Sequence, residues 1–179
     1  MIAIPAPIQF GQYLPMRLGE ILLNLQEDRK SRAGHMDDRR RVMGFPLPEW
    51  QRPLVWSESQ KSRFIESIWL GMPLGTYTLN TLEAGHPLDM IIIDGQQRLS
   101  AIEDYVEDRI DVFGGRWSDV ELVDRRRFKG TTFARYETRS EDENFLRRYY
   151  DLMNFGGVPH EPDQRAAPEM DDDEEGMSP

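Results

Sequence analysis

Apolar residues recur at the spacing of an amphipathic helix in four segments of the chain. The segments are residues 14–25, 57–70, 95–106 and 140–156. Three of them begin with a side chain that can cap a helix, followed three residues later by Gln or Glu, which is the pattern of a capping box. The pairs are Ser57 with Gln60, Asp94 with Gln97, and Ser140 with Glu143. The sequence therefore predicts four helices, three of which have a defined start.

Short segments between these helices have the composition of β-strands. Residues 76–82 alternate between β-prone and polar positions, residues 90–93 form a short apolar run, and a turn at 85–87 separates the two. Weaker patterns at residues 110–113 and 131–137 predict two more strands. Helices and strands that alternate in this way predict a compact α/β (α+β) fold, in which helices pack on a small mixed sheet.

Prolines interrupt the pattern before the second helix. Pro46, Pro48 and Pro53 exclude a helix and favour extended backbone. Residues 48–56, with the sequence PEWQRPLVW, are called the strap below. Residues 29–41 precede it with six bases and two acids and no apolar periodicity, which predicts a mobile loop.

Composition and charge indicate one domain with a tail. The chain has 179 residues, of which 39% are hydrophobic, and a net charge of −10. Eight acids and one base lie in residues 161–179 and leave this segment at −7. We expect residues 1–160 to form the domain and residues 161–179 to be a disordered acidic tail.

Several classes of protein are excluded by what the sequence lacks. There is no cysteine, so a disulfide framework, a thiolate zinc site and a cysteine nucleophile are excluded. No apolar run approaches the roughly 20 residues that a membrane span needs, and the N-terminus has no secretion signal. We expect a cytoplasmic protein without a membrane partner.

The segment Asp94-Gly95-Gln96-Gln97-Arg98 lies where a predicted strand leads into a predicted helix. The free amides of a helix N-terminus, a glycine, two amide side chains and an arginine together favour binding of a phosphate. Asp94 opposes this, because a capping carboxylate would occupy the same amides and repel a second anion. A purely structural role for Asp94 as N-cap has about equal weight. Alternatively Asp94 binds a divalent metal that bridges the phosphates, or accepts a proton from a nucleophile.

Two basic clusters are candidates for binding a nucleic-acid backbone. They consist of Arg39, Arg40 and Arg41, and of Arg125, Arg126, Arg127 and Lys129. Ordinary solvated surface charge explains either cluster at least as well, and Asp37 and Asp38 weaken the first.

Three motifs in order make the chain resemble the N-terminal domain of GmrSD-type restriction enzymes, within the ParB and sulfiredoxin superfamily. They are the strap, the Gly-Met-Pro-Leu-Gly segment at 71–75, and IIIDGQQRLSAI at 91–102. The Asn-Phe-Gly-Gly segment at 154–157, with His160, is a weaker fourth. The resemblance covers about residues 45–160.

This resemblance implies a ParB/sulfiredoxin-like fold that binds an NTP (ATP, GTP or CTP) together with Mg²⁺. If a bacteriophage encodes the chain, the protein is expected in the cytoplasm of the host cell. It implies catalytic roles for Asp94, Arg98 and Arg52, with Asp94 as the contact to Mg²⁺. The implied nucleotide contacts are Gly95, Gln96, Gln97, Gln51 and Asn154. Trp56 is assigned to the core rather than to the site.

The chain also departs from such enzymes. His35, His86 and His160 are scattered and form no His-Asn-His nuclease box, and a Gly-rich phosphate loop with Lys-Ser/Thr is missing. A Gly-x-Ser-x-Gly nucleophile segment is missing as well. A nuclease in the same chain, a P-loop kinase and a serine hydrolase are therefore not supported.

Three functions remain. The first is NTP-dependent phosphoryl transfer to DNA, for instance to a hydroxymethylated base as in bacteriophage DNA hypermodification. The second is an NTP-hydrolysing or nuclease-type domain of a restriction or anti-phage system that works with a separately encoded partner. The third is a non-enzymatic DNA-binding module. Partners expected across these hypotheses are DNA, a nucleotide, and a nuclease or base-modification enzyme.

Overall fold

A computed structural model describes residues 11–32 and 39–155. The helices are α1 (Leu18–Arg32), α2 (Glu58–Trp69), α3 (Gln96–Val106), α4 (Leu122–Gly130) and α5 (Glu143–Phe155). The strands are β1 (Gln12–Leu14), β2 (Arg41–Val42), β3 (Phe45–Pro46), β4 (Thr76–Asn80), β5 (Ile91–Asp94) and β6 (Ala134–Thr138). A single 3₁₀ turn covers Trp117–Asp119.

The main sheet has four strands in the order β1-β6-β4-β5. β4 and β6 are parallel, whereas β1 pairs with β6 and β5 with β4 in the antiparallel sense. β2 and β3 form a separate two-stranded hairpin. The predicted compact α/β fold with a small mixed sheet is confirmed.

The apolar run of β5 is buried on both faces of the sheet. Ile92 belongs to the larger core cluster, which the sheet forms with α1, α2, α3 and α4. Ile91 and Ile93 belong to a second cluster on the opposite face, together with Leu146 and Tyr149 of α5. Because successive strand residues point to opposite faces, α5 covers the face that the other helices leave. This arrangement puts the end of α5 near the carboxyl end of β5.

The predicted start of α2 is confirmed, and that of α5 is not. The Ser57 side chain accepts a hydrogen bond from the Gln60 amide, and the Gln60 side chain accepts one from the Ser57 amide. At α5 the Asp142 carboxylate accepts a hydrogen bond from the Asn144 amide at 2.9 Å, and Ser140 makes a local turn with Asp142 instead. Asp142 therefore caps α5.

The least accurate predictions concern the ends of α1 and the segments between the strongly patterned elements. α1 begins at Leu18 rather than at residue 14 and continues to Arg32, through residues that the sequence assigns to a loop. Residues 110–113 form no strand, since Val112 makes only one isolated bridge with Gly115. The basic cluster at 125–129 lies on α4, a helix that the apolar pattern does not predict, because Phe128 is its one buried residue.

In the described part of the chain no helix is long and apolar enough to cross a membrane. The predicted domain end near His160 and the acidic tail at 161–179 lie outside the described residues.

Candidate functional site

The turn from β5 into α3 requires glycine at position 95. Gly95 is the N-cap of α3 with a φ of 93°, in the left-handed region that favours glycine. A Cβ on Gly95 would lie 2.5 Å from the Cβ of Tyr77. Both the backbone conformation and the close approach to β4 therefore exclude a side chain, and α3 starts directly against the sheet.

Asp94 does not cap α3, contrary to the prediction that pairs it with Gln97. The N-cap makes no side-chain hydrogen bond. Asp94 instead accepts a hydrogen bond through Oδ2 from Nη2 of Arg98 at 2.9 Å. The first amides of a helix have no partner within the helix, so those of α3 stay available to an anion. The objection that Asp94 would occupy these amides is thereby removed.

Arg98 is fixed to the backbone of β4 as well as to Asp94. Its Nη2 donates to the Thr76 carbonyl at 2.6 Å. The side chains of Arg98 and Asp94 are 29% and 20% exposed, so one edge of the pair remains accessible. Asp94 Oδ1 makes no hydrogen bond to a described residue and is a free acceptor on this edge.

The two glutamines of the turn bind the strap. Gln97 Oε1 accepts hydrogen bonds from the amides of Val55 and Trp56 at 3.1 and 3.2 Å, and its Nε2 donates to the Pro53 carbonyl. Gln96 Nε2 donates to the carbonyl of Arg52 at 3.1 Å. Because a strap without strand partners must satisfy its backbone in some other way, these side chains take the place of a neighbouring strand.

Gln51 holds the strap at a second point. It is 3% exposed, and its Nε2 donates to the carbonyls of Ile92 and Ile93. Gln51 does not line the cavity described next, and both of its amide hydrogens are engaged. Gln51 therefore lies outside the cavity lining, and its contact with a nucleotide stays a prediction.

A cavity of about 460 Å³ opens at the N-terminus of α3. It is lined by residues of the strap, of the turn before β4, of the turn before α3 and of the end of α5. The lining residues are Arg52, Trp56, Gly75, Thr76, Ile93, Asp94, Gly95, Gln96, Gln97, Arg98, Tyr150, Met153 and Asn154. All three predicted catalytic residues and all predicted nucleotide contacts except Gln51 thus meet at one place.

Arg52 and Asn154 are two further polar residues of the cavity lining. Arg52 is exposed, and its guanidinium forms no ion pair with any residue that the structure describes. Asn154 Nδ2 donates to the carbonyl of Tyr150 one turn earlier, at 2.9 Å. This bond uses one of the two Nδ2 hydrogens of Asn154, so the second N–H and Oδ1 stay available to a ligand.

Tyr149 lies behind this site and does not supply a base. Burial raises the pKa of its phenol, a hydrogen bond with Thr78 lowers it, and the charge of Asp94 raises it further. The neutral phenol is therefore favoured well above neutral pH.

Sequence reasoning missed the aromatic and apolar part of the cavity. Trp56, Tyr150 and Met153 line it. The assignment of Trp56 to the core is also supported, since this half-buried side chain packs against the larger core cluster. The sequence signal for Trp56 is its position on the strap, four residues after Arg52. Because Arg52 is predicted to face the site, other side chains of the same short segment are candidates for the lining.

Most of the predicted nucleic-acid contacts have structural partners. Arg40 donates to the carbonyls of Pro48 and Gln51, and Arg41 pairs with Asp28. Arg39 donates to the carbonyl of Pro87. The first cluster therefore holds the strap and the hairpin.

The second cluster is divided in the same way. Arg125 donates to two carbonyls and lies over the ring of Trp117, and Arg127 lies over Trp69 and pairs with Asp124. Arg126 and Lys129 are exposed and form no ion pair among the described residues. Contact with nucleic acid through either cluster stays a prediction.

Comparison with known proteins identifies one family. The model of the N-terminal domain of the GmrSD restriction endonuclease matches residues 34–172. No curated protein and no solved structure matches the chain. The matched range contains the strap, the motifs at residues 71–75 and 91–102, and every residue that lines the cavity.

Proposed function

The chain belongs to the family of GmrSD restriction endonuclease N-terminal domains, and we propose that its cavity binds an NTP and transfers the γ-phosphoryl group to a hydroxyl group on DNA. The single observation that carries the proposal is the convergence of Arg52, Arg98 and the N-terminus of α3 on one cavity. These groups are donors, and all of them favour an anion with several oxygens.

The size and the donor set of the cavity fit a nucleoside triphosphate. Its volume of about 460 Å³ lies within the range of small-molecule sites. The φ of 70° at Gly75 favours glycine, and a Cβ built there would lie 3.6 Å from Nη1 of Arg98. A glycine at this point keeps the approach to the guanidinium open.

One carboxylate is available for the Mg²⁺ that accompanies an NTP. The described residues contain no group of three potential metal ligands, so those residues would hold the ion only together with groups of the substrate. Mg²⁺ is commonly held by one or two carboxylates together with the phosphates of the substrate, and Asp94 Oδ1 fits that role. When bound, the ion would neutralise charge on the phosphate oxygens.

The transfer itself is a displacement at phosphorus. The oxygen of the acceptor hydroxyl forms a bond to the γ-phosphorus, the bond from the γ-phosphorus to the bridging oxygen breaks, and its electron pair leaves with the NDP. The hydroxyl proton passes to water when Asp94 holds the ion, and to Asp94 Oδ1 only when it does not. Arg52 and Arg98 stabilise the charge on the transferred group. A hydroxymethylated base is the acceptor that we favour, and the base would have to leave the helix stack to reach the cavity.

The family itself favours a second function. A domain of a restriction endonuclease could use the same site to hydrolyse the NTP and control a nuclease on another chain. Water then takes the place of the DNA hydroxyl, and the remaining chemistry is unchanged.

A label-transfer assay separates these functions. The full chain is incubated with Mg²⁺, with γ-labelled ATP, GTP or CTP in turn, and with either normal DNA or DNA that contains hydroxymethyluracil. Label on the modified DNA alone is the result that we expect. Release of free phosphate without labelled DNA would favour the second function, and absence of both would contradict both.

A further inference from the structure

The four tryptophans of this protein differ in what covers their rings. Arg147 lies over Trp50 at 5.5 Å, Arg127 over Trp69 at 5.4 Å and Arg125 over Trp117 at 5.5 Å. Trp56 is the exception, since no arginine lies over its ring among the residues described. A cation stacked on an indole stabilises both groups. Among the four tryptophans, Trp56 is the one for which no described arginine makes this contact.

Trp56 is also the tryptophan that lines the cavity. It is half-buried, and its ring meets Phe64 edge to face at 5.6 Å. No described residue accepts a hydrogen bond from its Nε1, whereas the Nε1 of Trp69 donates to the Tyr105 hydroxyl. The indole therefore offers a cavity ligand both an apolar surface and a free donor.

The position of Trp56 is fixed relative to the anion-binding end of the cavity. Its backbone amide donates to Gln97 Oε1 at 3.2 Å, and Gln97 lies in the first turn of α3. The Arg52 carbonyl is held by Gln96 in the same turn. Strap and helix start thus form one unit, and a fixed aromatic side chain binds a flat ligand at low entropic cost.

We propose that Trp56 is the stacking platform for a nucleobase, which deepens the proposed function and rests on it. A nucleotide brings to one cavity both the anion that Arg52 and the α3 amides favour and a planar ring for Trp56. The base belongs either to the NTP or to an unstacked position of the DNA substrate. Stacking on an aromatic side chain tolerates every base, so the platform serves either source.

Binding measurements on the full chain test this assignment. Wild type, Trp56→Leu and Trp56→Phe are titrated with Mg²⁺-ATP, with Mg²⁺-tripolyphosphate, which lacks a base, and with a single-stranded oligonucleotide that contains hydroxymethyluracil. Trp50→Phe is the matched control for ATP, because it changes a tryptophan on the same strap whose ring is covered by arginine.

Trp56→Leu should weaken binding of ATP or of the oligonucleotide by about fivefold to a hundredfold, the range of base–aromatic stacking. Tripolyphosphate binding should stay close to wild type, which also shows that the variant is folded, and Trp56→Phe should retain most of the affinity. Loss for ATP identifies the base of the NTP, and loss for the oligonucleotide identifies a DNA base.

The proposal is overturned if tripolyphosphate loses as much affinity as ATP, or if neither ATP nor the oligonucleotide loses any. A wild-type chain that binds none of the three probes would overturn this proposal and the proposed function together. A wild-type chain that binds ATP through Trp56 but transfers no phosphoryl group would contradict the proposed function alone.

Discussion

Arg52 and Arg98 line the same cavity but differ in what holds them. Arg98 is bonded to Asp94 and to the backbone of β4, whereas Arg52 makes no ion pair among the described residues. A guanidinium that is paired with none of the described residues is available to a ligand. The two residues should therefore respond differently to substitution, in a way that separates binding from stability.

Arg52→Ala should lower NTP affinity by about tenfold, because a charge-assisted contact to phosphate is lost. Its free energy of unfolding should stay within about 0.5 kcal/mol of wild type, as for other surface substitutions. Calorimetric titration and urea unfolding measure the two quantities. The control is Arg63→Ala, an exposed arginine of α2 away from the cavity, which should change neither. If Arg52→Ala and Arg63→Ala lost the same NTP affinity, the assignment of Arg52 to the binding site would be wrong.

Arg98→Ala should abolish turnover and also reduce stability. The substitution leaves the Thr76 carbonyl and the Asp94 carboxylate without their donor, at a cost of about 1–3 kcal/mol. The γ-label assay and urea unfolding check the two effects. A variant that retains full turnover would show that the guanidinium does not act on the phosphate.

At the scale of elements, the strap is attached to the fold by side chains rather than by strand pairing. Gln97 satisfies three backbone groups of the strap, and Gln51 attaches it to β5. These bonds join residues more than forty positions apart in the chain. An amide side chain at the start of a helix can thus determine the wall of a cavity.

Gln97→Leu should destabilise the protein by about 1–3 kcal/mol, because the amides of Val55 and Trp56 lose their acceptor. Hydrogen exchange at these two amides should accelerate more than exchange at the amides of α2. The matched control is Gln96→Leu, which removes one bond to the strap instead of three and should cost less. If the amides of Val55 and Trp56 exchanged no faster in Gln97→Leu than in Gln96→Leu, the role of Gln97 as the anchor of the strap would be contradicted.

Local features of the sequence predicted local structure well. Ser57 and Gln60 identify the start of α2 because both partners of the cap lie within one turn. The turn between β5 and α3 was found for a similar reason, since an apolar strand, a glycine and a helical pattern follow one another directly. These signals need no knowledge of distant residues.

The parts that failed depend on distant partners. Asp94 could cap α3 by its spacing, but Arg98 and the approach of α3 to β4 decide otherwise. The hydrogen bonds of Gln96 and Gln97 with the strap could not be predicted, because their partners lie more than forty positions away in the chain, and contact of these two residues with a nucleotide stays a prediction. α4 was missed because its arginines cover tryptophans and few of its residues enter the core.

At the scale of the whole molecule, the centre of the sheet makes stability sensitive to alkaline pH. Burial raises the pKa of Tyr77 to about 12, against a lowering effect of the nearby Arg135. The folded state therefore keeps the phenolic proton to a higher pH than the unfolded state does. This contribution is complete below pH 10 and is lost as the pH rises through about 12.

The free energy of unfolding should accordingly fall between pH 10 and 12, by on the order of 3 kcal/mol from a two-unit shift. Tyr77→Phe removes the group that titrates, so its stability should fall less steeply over this range. Urea unfolding at several pH values measures both curves. Parallel curves for wild type and variant would mean that other groups account for the alkaline loss.

The central claim is that the N-terminus of α3 holds the triphosphate of a nucleotide. Backbone amide chemical shifts of the full chain, recorded during titration with Mg²⁺-ATP, test it most directly. We predict saturable shifts that are largest at Gly75 and at Gly95 through Arg98, with α4 unaffected. Saturable shifts confined to α4, or no shifts at these amides at a saturating nucleotide concentration, would contradict it.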